Sequence, residues 1–167
     1  MFLTAAFVMR LRPARGDDAL IIFEWVMDYE TRRNATNSKS FSFDSHCQWL
    51  KEKLADANTH IYIAEFNDHK FGQLRLKIND LEIFVSIVVN PEYRRKGYGR
   101  RILDAGLQSV AANELELASG NWKMVAIIMG DNSRSIRLFK NRGFVQTEET
   151  SVYKRLVFLR FERDLIL

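Results

Sequence analysis

Residues 91–103 read PEYRRKGYGRRIL. Five cations, Arg94, Arg95, Lys96, Arg100 and Arg101, share thirteen residues with Gly97 and Gly99. Before this stretch, Leu81 to Val89 is an almost unbroken apolar run that stops at Asn90-Pro91, the pattern of a buried strand. After it, Ile102, Leu103, Gly106, Leu107, Val110 and Ala111 fall on one face of a helix. The stretch is therefore a glycine turn between a strand and a helix. Amides in the first turn of a helix lack intrahelical partners and carry partial positive charge. Glycines let a ligand approach them with no Cβ atom in the way. Three uses are open: a nucleic-acid surface, a solvated helix start, or an anion cradle suited to a pyrophosphate.

Two familiar phosphate motifs do not fit. A Walker-type loop ends in Gly-Lys-Ser/Thr, whereas Gly99 is followed by Arg100-Arg101. The dinucleotide fingerprint wants a third small residue where Ile102 stands. Only Tyr93 and Tyr98 interleave with the cations, too few aromatics for a base-stacking nucleic-acid surface.

The 167 residues, 47% hydrophobic and 12% aromatic, suit one domain with one core. Residues 1–8 read as an N-terminal extension and 9–167 as the single domain. Cys47 is the sole cysteine, so no internal disulfide forms, and a reducing, cytoplasmic compartment is expected. The net charge of +4 favours anionic partners. No run reaches the roughly 18 apolar residues of a membrane span, so no membrane partner is expected. His46, His60 and His69 lack ligand-like spacing, so no metal is expected.

Periodicity predicts a strand over Met9–Arg12, closed by Pro13, and a helix over Ala19–Val26 led by Asp17 and Asp18. A polar link, Tyr29–Ser40, precedes a helix capped at Asp44 or Ser45. Thr59–Phe66 and Phe71–Ile78 alternate as a hairpin around Asn67–Lys70. Lys123–Met129 reads as a buried strand, Ser133–Asn141 as a short helix ended by Gly143, and Phe144–Gln146 and Val152–Phe161 as closing strands. The last of these is long enough to pair across a homodimer. This order indicates an α/β fold with helices on both faces of a sheet.

The stretch Ile87-Val-Val-Asn-Pro-Glu-Tyr-Arg-Arg-Lys-Gly-Tyr-Gly-Arg100 resembles the acetyl-CoA signature of the GNAT N-acetyltransferases, whose core is Arg/Gln-x-x-Gly-x-Gly/Ala. Asn132-Ser-Arg-Ser-Ile-Arg-Leu-Phe-Lys-Asn-Arg-Gly-Phe144 resembles the second signature, a short helix ending in Gly-Phe. The resemblance implies a mixed, mostly antiparallel sheet of six to seven strands, splayed between strands four and five, with acetyl-CoA as co-substrate wedged in the splay. It implies that the backbone at Ile87, Val88 and Val89 holds the pantetheine arm and that an amide near Val88–Val89 steadies the thioester oxygen. Arg94, Arg95, Lys96, Gly97, Tyr98, Gly99 and Arg100 would hold the pyrophosphate. Asn132, Ser135 and Phe139 would line the cofactor arm. Phe139 stands where the family often carries a tyrosine that protonates the leaving thiolate, and a phenyl ring cannot do so. Ser133, Ser135, Tyr98 or water remain as donors.

The attacking amine must be neutral. A lysine-like amine is neutral about once in 2,500 at pH 7, a handicap of roughly 4.6 kcal/mol, whereas an α-amino-like group loses only about 1 kcal/mol. Glu82, early on the fourth strand, is the candidate base, with Asp80 in reserve. The segments Trp25–Arg32, Asp44–Trp49 and Gly72–Arg75 resemble the GNAT branch that acetylates amino sugars on nucleotides, of the pseudaminic-acid type. His46 and Trp49, three apart on one helical face, can meet one ligand, Trp49 offers a stacking plane, and Arg32 and Arg75 offer charge for a diphosphate, so these four are the expected acceptor residues. The resemblance makes the partner a small-molecule amine, a nucleotide sugar, and not nucleic acid. A protein N-terminus, as in ribosomal-protein relatives, is the alternative acceptor. A non-catalytic acyl-CoA-binding module is the alternative from another class.

Overall fold

The computed structural model describes residues 9–35, 39–112, 115–153 and 156–165. The expected extension at 1–8 lies outside the described residues. Seven strands form one sheet: β1 (Arg10–Pro13), β2 (Thr59–Phe66), β3 (His69–Asn79), β4 (Glu82–Val89), β5 (Lys123–Met129), β6 (Val145–Tyr153) and β7 (Leu156–Asp164). Their order across the sheet is β1-β2-β3-β4-β5-β7-β6. All neighbours are antiparallel except β4 and β5. The helices are α1 (Ala19–Met27), α2 (Tyr29–Arg33), α3 (Phe43–Ala55), α4 (Tyr98–Ala111) and α5 (Ser133–Lys140).

Alternation along the strands divides the core in two. Leu74, Leu76, Ile83, Val85, Met124, Ala126 and Phe161 pack with Ile102, Leu103 and Val110 of α4 and Phe139 of α5. Ile61 and Ile63 face the other way, onto Ile22 and Trp25 of α1 and Leu50 of α3. Both faces of the sheet thus carry helices. Side chains alternate along a strand, so Gln73 and Arg75 must share the α1/α3 face while Leu74 and Leu76 point to α4.

Several expectations shift locally. Ser42, not Asp44 or Ser45, caps α3: its Oγ accepts from the amide of Ser45 at 3.1 Å. Asp18 caps nothing with its side chain at α1. It accepts instead from Arg12 at 2.9 Å and from Lys70 at 3.2 Å, tying β1 to β3. The polar link contains α2, whose first turn is held by the Asp28 carboxylate on the amide of Thr31. Ala111 ends α4 exposed rather than buried. Val152–Phe161 is not one strand. It straddles the end of β6 and most of β7, which pair with each other from Val145↔Glu162 to Tyr153↔Leu156. The run holds no glycine or proline to mark a break.

Candidate active site

The sheet opens between β4 and β5. The two strands pair only at Glu82↔Lys123, Ile83↔Met124 and Phe84↔Val125. Beyond that apex β5 continues beside β7 to Met129, while β4 continues beside β3 to Val89. Residues 85–89 of β4 therefore present an unpaired strand edge to the gap. Splayed parallel strands leave backbone donors and acceptors that an extended ligand can satisfy as an added strand.

The glycine turn sits at the mouth of this V. Asn90 ends β4: its amide donates to Phe71 O at 2.8 Å and its Nδ2 to Lys70 O at 2.9 Å, while its Oδ1 accepts from Glu92 N at 3.1 Å. The chain then reverses through Arg95 (φ 61°) and Gly97 (φ 83°), both left-handed. The amides of Arg95, Lys96, Gly97, Gly99 and Arg100 donate to no backbone carbonyl among the described residues. A Cβ placed on Gly97 would meet nothing within 4 Å, and one on Gly99 would face Val89 at 3.4 Å and Leu138 at 3.6 Å. Bare amides beside open space at a helix start fit an extended ligand with an anionic end. Gly72, opposite Val89, brings β3 against this edge: a Cβ there would lie 2.2 Å from the carbonyl oxygen of Val88.

The basic side chains of the turn divide by role. Arg95 and Arg100 are exposed and form no ion pair among the described residues. Lys96 donates to Glu92 O at 2.9 Å and lies over the Tyr93 ring. Tyr98 stacks on Phe71 at 4.3 Å. Arg94 departs from its expected place on the pyrophosphate. It is tied to Asp28 at 2.6 Å, Thr31 at 2.8 Å and Glu30 at 3.5 Å. Burial pushes the Asp28 carboxyl up, but the hydrogen bonds from Arg94 and the amide of Thr31 outweigh it and hold the group low. Glu30 also pairs with Arg134 in the first turn of α5, and Arg33 lies 3.7 Å from Asp131. So α2 straps the turn after β4 to the turn after β5.

On the β5 side, Asn132 caps α5, its Oδ1 accepting from Ser135 N at 3.1 Å. The Ser135 side chain is half-buried and Ser133 is exposed. Phe139 is buried edge-to-face on Phe144 at 5.0 Å. It is a core side chain, so proton donation is absent from that position.

The four expected acceptor residues come together on the opposite face, in a row. Arg75 lies over Trp49 at 5.8 Å, Trp49 stacks on His46 at 5.6 Å, His46 stacks on Phe41 at 6.0 Å, and Arg32 lies over Phe41 at 5.2 Å. Two guanidinium groups thus end a row of three flat rings. Neither forms a salt bridge among the described residues, and burial pushes both below the usual arginine range. Arg32 donates from Nη1 to Lys39 O at 3.2 Å, yet its Nε is buried without a partner among the described residues. His46 is buried and its Nε2 is likewise unpartnered. Burial lowers the imidazole, which keeps it neutral at pH 7, against a weaker upward pull from the backbone of Ala19. The helical spacing of His46 and Trp49 was readable in the sequence, but Phe41 was not, because it precedes the helix. Gln73 was also missed as a site residue. It is buried beside Arg75 on β3, and its Oε1 has no partner among the described residues.

Glu82 stands at the apex of the V, paired to Arg160 of β7. Arg160 also meets Glu162 at 2.7 Å and Glu149 at 3.4 Å. Asp80 lies in the β3–β4 turn with φ 52°, exposed and beyond the apex. Among the described residues no group of three or more His, Cys, Asp or Glu is placed to hold a metal ion. Among them, too, no helix is long and apolar enough to cross a membrane.

A splayed parallel strand pair with a bare-amide turn at its mouth leaves room for an extended ligand with an anionic end to lie as an extra strand. The profile of the Acetyltransferase (GNAT) family matches residues 20–144, and the chain belongs to that family. The chain is 31% identical over 99 residues to an N-acetyltransferase 9-like protein of Schizosaccharomyces pombe, a match over 59% of this chain and 41% of that protein. The chain therefore spans less than half of that relative. It is 24% identical to the uncharacterized N-acetyltransferase YfmK of Bacillus subtilis, over 83% of this chain and 86% of that one. Three solved structures share the fold. Spermidine N-acetyltransferase from Vibrio cholerae, in complex with CoA and spermine, has a TM-score of 0.80 at 19% identity, covering 93% of this chain and 95% of that one. The yncA acetyltransferase from Salmonella typhimurium, with acetyl-CoA, gives 0.74 at 21%, covering 96% and 95%. The ribosomal-protein-alanine N-acetyltransferase from Brucella melitensis gives 0.76 at 18%, covering 93% and 99%. Acetyl-CoA is the co-substrate of this family, and its enzymes are acetyltransferases.

Proposed function

We propose that the chain transfers acetyl from acetyl-CoA to a primary amine on an anionic acceptor, a nucleotide-linked amino sugar. One observation carries the choice of acceptor: Arg32 and Arg75 are half-buried guanidinium groups with no carboxylate partner among the described residues. A desolvated cation is costly unless an anion arrives, and planar guanidinium groups suit phosphate oxygens. The rings of Trp49, His46 and Phe41 between them offer a stacking plane for a base or sugar. A polyamine or a basic N-terminal peptide would meet two like charges there.

In this reading the thioester lies along residues 85–89, its arm on the backbone of Ile87, Val88 and Val89. The amides from Arg95 to Arg100, with the Arg95 and Arg100 side chains, take the pyrophosphate. An amide at Val88–Val89 donates to the thioester oxygen as negative charge develops there. Arg32 and Arg75 also disfavour the ammonium form of a nearby amine, which lowers the fraction lost to protonation. A low-pKa amine needs only a weak base. Glu82 lies on the same face as Ser86 and Val88, by strand alternation, and relays the released proton through water while Arg160 fixes its carboxylate.

Thiol release from acetyl-CoA separates the acceptors. A UDP-linked 4-amino sugar is expected to give the highest kcat/KM, ahead of spermidine and of a basic peptide with an N-terminal alanine. A higher value for either cationic acceptor would reject the anionic-acceptor reading.

A further inference from the structure

The acceptor face holds a polar group that the reaction above leaves unused. Gln73 sits inside β3, 5% exposed, in direct register with Val88 and two residues from Arg75 on the same face. Arg75 itself pairs with Ser86, so both side chains lie on β3, one strand in from the unpaired edge of β4 and on the acceptor face. The Oε1 of Gln73 is buried and accepts from nothing among the described residues. A buried carbonyl left without a donor is costly, whereas an apolar side chain of the same shape would cost nothing there. Its place on the acceptor face, one strand from the thioester edge, suits a donor that arrives with the substrate.

We propose that Gln73 is a catalytic residue whose Oε1 accepts an N–H of the incoming amine and turns the nitrogen lone pair toward the thioester carbon. The inference rests on acetyl transfer occurring along residues 85–89. The amine is a donor through its N–H bonds, and Oε1 can only accept, so the pairing fixes which way the lone pair faces. The nitrogen attacks, an N–C bond forms, and the C=O electron pair moves onto oxygen. That pair then returns, the C–S bond breaks, and its electrons leave on sulfur. The nitrogen sheds one proton to water, and the CoA thiolate takes one back from solvent, so one proton passes from amine to thiol. As the N–C bond forms, the nitrogen becomes positive and its N–H···O bond to Gln73 becomes charge-assisted, roughly twice as strong. An interaction stronger in the transition state than in the ground state raises kcat rather than lowering KM. Gln73 does not titrate, so it adds no limb to the pH profile.

The test uses Gln73→Met and Gln73→Glu with two acceptors: hydroxylamine, a small amine neutral at pH 7 that asks nothing of the arginines, and a UDP-linked 4-amino sugar. Gln73→Met is expected to bind acetyl-CoA as the native chain does and to melt at the same temperature or higher. Its kcat with hydroxylamine, corrected for the uncatalysed reaction, should fall roughly ten- to hundredfold at unchanged KM and unchanged pH midpoint. Gln73→Glu, which restores an acceptor oxygen, should recover part of that loss. Native turnover in Gln73→Met would overturn the assignment. So would a loss matched by weaker acetyl-CoA binding or a lower melting temperature, and so would a native chain inactive on hydroxylamine. If the Gln73 effect holds with hydroxylamine while the UDP-linked sugar is inert, Gln73 stands and the nucleotide-sugar reading falls.

Discussion

Arg75 concentrates the electrostatics of the acceptor side in one side chain. It is half-buried against Trp49 and pairs with no carboxylate among the described residues. Gains from a charge-assisted hydrogen bond run about 1.5–3 kcal/mol. Arg75→Met should therefore raise the KM for an anionic acceptor roughly 10- to 150-fold with the KM for acetyl-CoA unchanged, in steady-state kinetics. Asp18 is the opposite case, a buried carboxylate with its partners in place. Burial pushes it up, but hydrogen bonds from Arg12, from the amide of Arg15 and from Lys70 bring it to about 2. A carboxylate depressed in the folded state stabilises above its unfolded pKa, near 4, and that contribution disappears as pH falls toward 2. It amounts to about 2 kcal/mol. The melting temperature should be flat above pH 5 and drop between pH 4 and pH 2. Asp18→Asn should lower it at pH 7 and remove much of that acid slope.

Strands and turns set what the glycines do. Gly72 and Gly99 both border the V but differ in what surrounds them. A methyl on Gly72 meets backbone, the Val88 oxygen at 2.2 Å, and neither strand can yield without breaking register. Gly72→Ala should cost more than about 2 kcal/mol in urea unfolding, or leave no folded protein. A methyl on Gly99 meets only side chains at ordinary contact distance. Gly99→Ala should unfold near the native midpoint yet weaken acetyl-CoA binding, measured by calorimetry, because the methyl takes ligand space. Equal loss of stability in both would mean that the turn is a packing device. The strap made by α2 belongs at this scale too. Glu30 joins Arg94 to Arg134, so the helix that carries Arg32 is anchored at the mouth of the cofactor cleft.

Across the whole molecule, charge and architecture work together. The +4 chain places exposed Arg95 and Arg100 where an anionic co-substrate enters. Surface charges are screened beyond about 10 Å at 0.1 M salt. The KM for acetyl-CoA should climb steadily between 50 and 500 mM salt while kcat at saturation holds. A KM insensitive to salt would mean that backbone amides alone hold the pyrophosphate. The seven-stranded sheet, with one core on each face, keeps the α4 turn and the acceptor row on opposite sides of the same β4 edge.

Strand–turn–helix patterning makes β4, the glycine turn and α4 legible in the sequence, since Leu81–Val89, the two glycines and the apolar face of α4 are contiguous and their chemistry is local. The same was true of His46 and Trp49, set three apart on one helix. Tertiary structure alone decided where charges went: Arg94 became a strut to Asp28 and Glu30, Glu82 went to Arg160, and Arg75 was left without a carboxylate among the described residues. It alone also buried Gln73 with its Oε1 unpartnered among the described residues and divided the expected final strand between two paired strands. The reason is range. Backbone periodicity and glycine conformation act over a few residues and are written in the chain, whereas the partner of a charged or polar side chain is chosen among residues tens of positions away, by a packing that exists only once the sheet has formed.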